Sequence, residues 1–393
     1  MASRVERLAV KNYRVLRDVE FHDLSPLSFL VGPNGSGKST VLDVLAFLQE
    51  AVNEGLSVAW HRRGGLHGIR SLERTGPVEV TITYSSSTTD GPATYHVELD
   101  EVGGEPVVVR ELLEWPGRGG PSLDLTRGRG TATDDYTGSR HPITMRTSVL
   151  ALAALGDVED YIAVNHTKDD IRSWHVSTLE SRMLRSVPAN GAQPRLTPSG
   201  DNLANVVRYL AQERPDVLTE LVHKLRQLVP QFDEPRAEVS EDNRLLLKIG
   251  ELAFREPVLA RFASDGTLRL LAYYVVLGLA ESYGLIGLEE PDSFLHPRLH
   301  YGLAEELRRA AEQTQVIVTT HSPHLVDGLR PHELWVLYRA EDGFARAVRA
   351  ADDPRLTAMV DAGGLLGDLW MEGFLGVGDP LTREGRPRGQ ATG

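Results

Sequence analysis

Leu27-Ser-Phe-Leu-Val-Gly-Pro-Asn-Gly-Ser-Gly-Lys-Ser-Thr40 runs an apolar stretch into a loop that obeys G-x-x-x-x-G-K-[ST] from Gly32 to Ser39. Leu27, Phe29, Leu30 and Val31 read as a buried strand, and Val41, Leu42, Leu45 and Leu48 recur at helical spacing, which predicts a helix from Ser39 to about Val52. Between them the glycines let the backbone curl, so that successive N–H groups and the helix N-terminus face one point and cradle phosphate. On this reading Gly32, Pro33, Asn34, Gly35, Ser36, Gly37, Lys38, Ser39 and Thr40 hold a nucleoside triphosphate. Lys38 reaches the β- and γ-phosphate oxygens, and Ser39 offers its hydroxyl to Mg²⁺. ATP and Mg²⁺ are the expected cofactors.

A triphosphate site needs acids for the metal and for the attacking water, and the sequence offers them downstream. Leu285-Ile-Gly-Leu-Glu-Glu290 is a short apolar run ending in two carboxylates, the form of a buried parallel strand that delivers acids to the carboxyl edge of a sheet. Glu289 is the candidate for Mg²⁺ and its waters, and Glu290 for orienting or deprotonating the attacking water. Val316-Ile-Val-Thr-Thr-His321 is a second apolar run with a polar end, and His321 could donate a hydrogen bond to the γ-phosphate or that water. Ala263-Ser-Asp-Gly-Thr-Leu-Arg269 precedes an apolar helix, so Ser264, Asp265 and Gly266 make a second anion site or a plain helix cap.

Around these motifs the chain reads as α/β. Leu8 to Tyr13 and the alternating Val78, Val80, Ile82 and Tyr84 predict strands of an antiparallel layer. Residues 117 to 140, rich in Gly, Arg, Thr and Asp, read as a mobile loop. Leu150 to Arg185 and Asn202 to Val229 carry helical spacing and suggest an inserted helical subdomain. From Leu245 to Tyr338 strands and helices alternate, as in an α/β sheet. The expected division is 1–115 for the first half of the nucleotide domain, 116–235 for the loop and helical insertion, 236–350 for the second half, and 351–393 for a tail.

Composition narrows the classes. The 393 residues, 41% apolar and 25% charged, suffice for a sizeable core. No apolar run is long enough for a membrane span or a signal peptide, so the expected location is the cytoplasm, with no membrane partner. With no cysteine, disulfides, thiolate zinc sites and cysteine nucleophiles are excluded. The net charge of -13 argues against indiscriminate nucleic-acid binding but leaves room for a local basic groove; Arg62, Arg63, Arg70 and Arg74 form one candidate cluster for it, or else a solvated face.

In order, GPNGSGKST, ASDGTLR, LIGLEEPD and VIVTTHSP resemble the Walker A, signature, Walker B and switch-histidine motifs of the ABC ATPase superfamily, closest to its SMC-like and RecF-like branch. The resemblance implies a P-loop NTPase of ABC type with an antiparallel β layer and a helical insertion. LTPSGDNL, SDGTLRLL, EEPDSFLHP and LGDLWMEGFLG also resemble compact prokaryotic AAA-type ATPases, some of them in anti-phage systems. The opening VKNYR is similar to that branch's first strand, which makes Lys11, Asn12 and Arg14 candidate nucleotide contacts.

Such ATPases sandwich ATP between Lys38-type residues of one copy and Ser264-type residues of another, implying a head-to-tail homodimer. DNA and a separate nuclease or effector chain are the partners the resemblance suggests. A RecF-like repair factor is the second reading, and a transporter's ATP-binding subunit the third. The sequence departs from the pattern in placing Glu289 where an aspartate is usual, in SDGT for the signature, and in lacking a recognisable Q-loop glutamine, so hydrolysis is expected to be slow. The 225 positions between Ser39 and Ser264 are too few for a long coiled-coil arm, and the roughly 70 residues after the histidine strand are too few for the TOPRIM nuclease domain of OLD proteins.

Overall fold

The computed structural model describes residues 3–85, 91–117, 119–293 and 295–376. Arg118 of the Gly-rich stretch, Phe294 of the acid motif and residues 377–393 of the expected tail lie outside the described residues. Among the described residues no helix is long and apolar enough to cross a membrane.

A six-stranded sheet carries the phosphate loop. Its order is His175–Ser177, Leu285–Glu289, Gln315–Thr319, Leu27–Val31, Leu334–Arg339 and Ala345–Arg349, parallel except for the last. The strand Leu27–Val31 is buried at every position, as expected for a parallel strand covered on both faces. The pleat divides its neighbours between two cores. Leu285, Leu30, Ile317 and Leu337 face one, whereas Ile286, Leu288, Phe29, Val316 and Val318 face the other.

The first core is filled by the helix Lys38–Asn53, which buries Val41, Leu42, Val44, Leu45, Phe47 and Leu48 between this sheet and an eight-stranded antiparallel sheet. At roughly 2 kcal/mol for each large apolar side chain taken from water, this packing holds the helix behind its loop. The second core contains the helix Asp265–Gly278, packed against Leu203–Glu213, Pro215–Leu228 and His300–Ala310. A small sheet of Phe232–Val239, Leu245–Glu251 and Val258–Leu259 lies beside Leu203–Glu213.

Two stretches differ from the sequence reading. The expected mobile loop at 117–140 contains the strands Leu123–Thr126 and Arg129–Thr133, and with Arg140–Thr144 they extend the antiparallel sheet. Arg127 (φ +49°) and Gly128 (φ +73°) form the two-residue turn between them, the left-handed pair whose twist matches a β-hairpin. Buried Leu123, Leu125 and Ala132 are too few to show a period amid the polar residues. The expected helix to Arg185 ends at Arg172, and His175–Ser177 becomes the edge strand of the parallel sheet.

Candidate nucleotide site

Because Leu285–Glu289, Gln315–Thr319 and Leu27–Val31 are adjacent and parallel, their carboxyl ends bring the acids, the histidine and the phosphate loop to one edge of the sheet. The loop's shape is imposed by its glycines. Gly32 has φ +145°, and a Cβ there would lie 2.0 Å from the Leu337 carbonyl oxygen. Gly37 has φ +110° at the helix N-cap, and a Cβ there would approach Val15, Leu16 and Ala345 at 3.0–3.3 Å. Arg339 Nε donates to the Gly35 carbonyl at 2.6 Å and braces the loop from outside.

Lys38 is buried, and its Nζ donates to the carbonyls of Gly32 at 2.9 Å and Pro33 at 3.1 Å. Burial pulls its ammonium down to about 8, against the attraction of Glu290 and Glu289, which work to raise it. Ser36 Oγ is buried in the same loop without a hydrogen-bond partner among the described residues. A confined cation, an unpaired hydroxyl and the free N–H groups of a helix's first turn form a donor set that fits a polyphosphate.

Ser39 and Glu289 line one cavity of about 240 Å³ with Arg14, Asp43, Glu50, Arg63, Ser177 and Thr178. A hydroxyl and a carboxylate at one wall suit Mg²⁺, which accepts few protein ligands and takes the rest from phosphate and water. Glu290 follows at φ +43°, a left-handed conformation that costs a non-glycine residue about 1 kcal/mol. Its N–H donates to the Thr319 carbonyl at 2.9 Å, and Ser293 Oγ donates to its Oε2 at 3.2 Å. Its Oε1 lies 3.2 Å from His321 Nε2. Burial lowers the His321 pKa, the charge of Lys38 lowers it further, and Glu290 and Asp292 oppose the shift. Neutral imidazole is therefore the favoured form at neutral pH, able to donate or accept.

The remaining candidates divide. Arg14, at φ +46°, lines the Ser39 cavity while its guanidinium pairs with Asp43 at 2.8 Å and donates to Gly68 O at 3.1 Å. Asn12 and Lys11 do not join them. Asn12 Nδ2 donates to the carbonyls of Gly76 and Pro77, both at 3.0 Å, a tie that fixes the bend after the first strand. Lys11 pairs with Glu79, and both residues line a separate cavity with Arg17 and Arg74. Ser264 caps its own helix, accepting from Thr267 N at 3.1 Å, and Asp265 pairs with Arg185 at 2.5 Å.

The four arginines that offered either a basic groove or a solvated face are largely committed. Arg62 pairs with Glu50 and Glu54, buried Arg63 with Asp43 and Glu50, and Arg70 approaches Asp100, while Arg74 lies over the Phe344 ring. Their carboxylates lie outside the stretch 62–74, so that stretch read alone overstates the free charge. Sequence reading missed Ser177 and Thr178, whose only signal is the three-residue buried run His175–Ser177, and the Asp43 hub, which also accepts from Tyr13 at 2.7 Å.

The family model described as "AAA domain, putative AbiEii toxin, Type IV TA system" matches residues 27–327, more than half of the chain, from the strand before the phosphate loop to beyond His321. The chain belongs to that family. It is an ATPase of the AAA kind. A relative named OLD nuclease, from Thermus scotoductus, is 23% identical over 365 residues, covering 86% of this chain and 62% of the relative; the chain thus spans less than two thirds of that relative's length.

Solved structures show the same fold. An Smc head bound to the C-terminal winged-helix domain of ScpA has a TM-score of 0.57 at 14% identity, covering 88% of this chain and 96% of that one. An Smc head from Pyrococcus furiosus with an extended coiled coil, bound to the C-terminal domain of ScpA, gives 0.55 at 13% identity, covering 91% of this chain and 100% of that one. An Smc head from Pyrococcus yayanosii with a coiled coil and joint gives 0.51 at 11% identity, covering 92% and 100%.

Proposed function

We propose that this ATPase closes as a head-to-tail homodimer around two ATP molecules and couples closure to DNA, as the ATPase of an anti-phage system that governs a separate nuclease or effector chain. One observation carries the reading. Lys38, Ser39, Glu289, Glu290 and His321 belong to one sheet edge, whereas Ser264, Asp265 and Gly266 open the helix Asp265–Gly278, which packs on that sheet and on neighbouring helices, and do not line the cavity of Ser39 and Glu289. In this reading a second copy brings that helix N-terminus to the phosphates. The OLD nuclease relative supports the link to DNA, and the Smc heads bound to ScpA support a partner chain.

In this reading Lys38 and the loop's N–H groups hold the triphosphate, Ser39 and Glu289 hold Mg²⁺, and Arg14 reaches a phosphate from the cavity wall. Bound MgATP supplies the phosphoanhydride bond and the cation that screens its charge. Glu290 takes the proton of the attacking water, and His321, held 3.2 Å away, fixes the carboxylate's direction and stabilises it as charge moves.

The test uses Glu290→Gln, which should bind ATP without turning it over. Light scattering on a sizing column should show a dimer with ATP and Mg²⁺ and a monomer with ADP. Duplex or single-stranded DNA should be retained by the ATP form alone. An ATP-bound sample that remains monomeric would remove the dimer, and a dimer indifferent to both kinds of DNA would remove the link to DNA.

A further inference from the structure

Glu290 and His321 are both partly exposed, at 39% and 35%, yet they sit at hydrogen-bonding distance. Side chains that open to solvent keep such a spacing only if the backbone beneath them is fixed. The residues on either side of His321 supply the fixing. Thr320 is fully buried; its hydroxyl donates to Asp292 Oδ1 at 2.7 Å and accepts from Ser322 N at 2.9 Å. Buried Ser322 accepts from Leu325 N at 3.2 Å and meets His300 Nδ1 at 2.8 Å. Asp292 lies two residues beyond Glu290, and His300 begins the helix His300–Ala310.

One continuous polar chain, Asp292–Thr320–Ser322–His300, therefore ties the histidine loop at one end to the acid loop and at the other to a packed helix. None of its members lines the cavity shared by Ser39 and Glu289. All four are nine-tenths or more buried, where an unmade hydrogen bond is costly, and among the described residues only the Nε2 of His300 in this chain is left without a partner. The backbone bond from Glu290 N to Thr319 O closes the same frame one residue upstream.

We infer that Asp292, Thr320, Ser322 and His300 are positioning residues for ATP hydrolysis: they set the spacing of Glu290 and His321 without touching nucleotide. The inference rests on the assignment of Glu290 and His321 to the hydrolytic site. Thr320→Val is nearly isosteric but removes both the donor to Asp292 and the acceptor of Ser322 N. Misplacing a reacting pair by a fraction of an ångström to an ångström lowers rate by about 10- to 100-fold, whereas the phosphate loop is untouched. The expected result is a fall of that size in kcat with the ATP Kd unchanged within about threefold, and Thr320→Ser, which restores the hydroxyl, should recover most of the rate.

Should Thr320→Val not fold, Ser322→Ala cuts the chain at its other hydroxyl and carries the same expectation. A folded Thr320→Val or Ser322→Ala enzyme with wild-type kcat overturns the inference. So does a parallel loss of kcat and ATP affinity that Thr320→Ser fails to recover, since a general structural defect behaves that way. Glu290→Gln, measured alongside, separates the two levels: if it too retains wild-type turnover, the site assignment fails first. If it is inactive while Thr320→Val is not, only the network's role fails.

Discussion

Raising the pH should weaken ATP binding through Lys38 alone. In the free protein burial brings this ammonium from the ordinary 10.5 to about 8, so charging it costs about 3 kcal/mol more than for a lysine in water. Its present partners are two carbonyl oxygens, which do not repay a full charge. Phosphate oxygens do, so the bound form keeps its proton to higher pH than the free form, and binding above the free-state pKa takes up a proton. The sign follows: affinity is constant below about pH 7 and falls as pH rises through 8. At pH 9 roughly a tenth of the free protein carries the charge, and Kd should rise about tenfold over its pH 7 value, or about 1.4 kcal/mol.

His321, whose pKa is lowered from the usual histidine value, is already neutral across this window and leaves the change to Lys38. Calorimetric titration of ATP into Glu290→Gln protein at pH 7, 8 and 9, each in two buffers of different ionisation enthalpy, reads both quantities at once. Near pH 8 the expected uptake is about half a proton per site. Lys38→Arg, whose guanidinium does not titrate, should bind with an affinity independent of pH. A Kd constant within twofold from pH 7 to 9, with no proton uptake, would show that Lys38 is not confined as described.

Gly32→Ala should lower folding stability by at least about 2 kcal/mol, because the added methyl meets the Leu337 carbonyl and the residue must hold φ +145°; an unchanged urea midpoint would refute the close approach. Fully buried Glu111 accepts hydrogen bonds from Ala151 N, Leu152 N and Tyr95, yet burial outweighs them and raises its carboxyl to about 7. The folded state then holds a proton that the unfolded chain loses near 4.5, so this residue's contribution to stability is present at low pH and declines from about pH 4.5 to 7. Urea melts of wild type and Glu111→Gln across that range should show a decline in the difference between them; parallel curves would refute it.

How much of this was legible in the sequence depended on whether the signal was local. The loop from Gly32 to Ser39 announces itself because glycine is required at Gly32 and Gly37 by backbone geometry, and the flanking strand and helix have lengths and periods of their own. The strands Leu285–Glu289 and Gln315–Thr319 read as continuous apolar runs because both their faces are covered. His175–Ser177 is too short to have a period and is a strand only because Leu285–Glu289 lies beside it. Arg62 and Arg63 look like free charge until the fold brings Glu50, Glu54 and Asp43 against them, and Asn12 looks like a ligand contact until the carbonyls of Gly76 and Pro77 close on its amide. The Asp292–Thr320–Ser322–His300 chain joins three segments through hydroxyls, a contact that hydrophobic patterning does not encode.

Single-turnover phosphate release by wild type, Lys38→Ala and Glu290→Gln, with ATP binding measured on the same samples, tests the site most directly. Wild type should bind and release phosphate, Lys38→Ala should fail to bind, and Glu290→Gln should bind as wild type does while its release falls at least about 100-fold. Release from Glu290→Gln at the wild-type rate would contradict the assignment of the hydrolytic carboxylate.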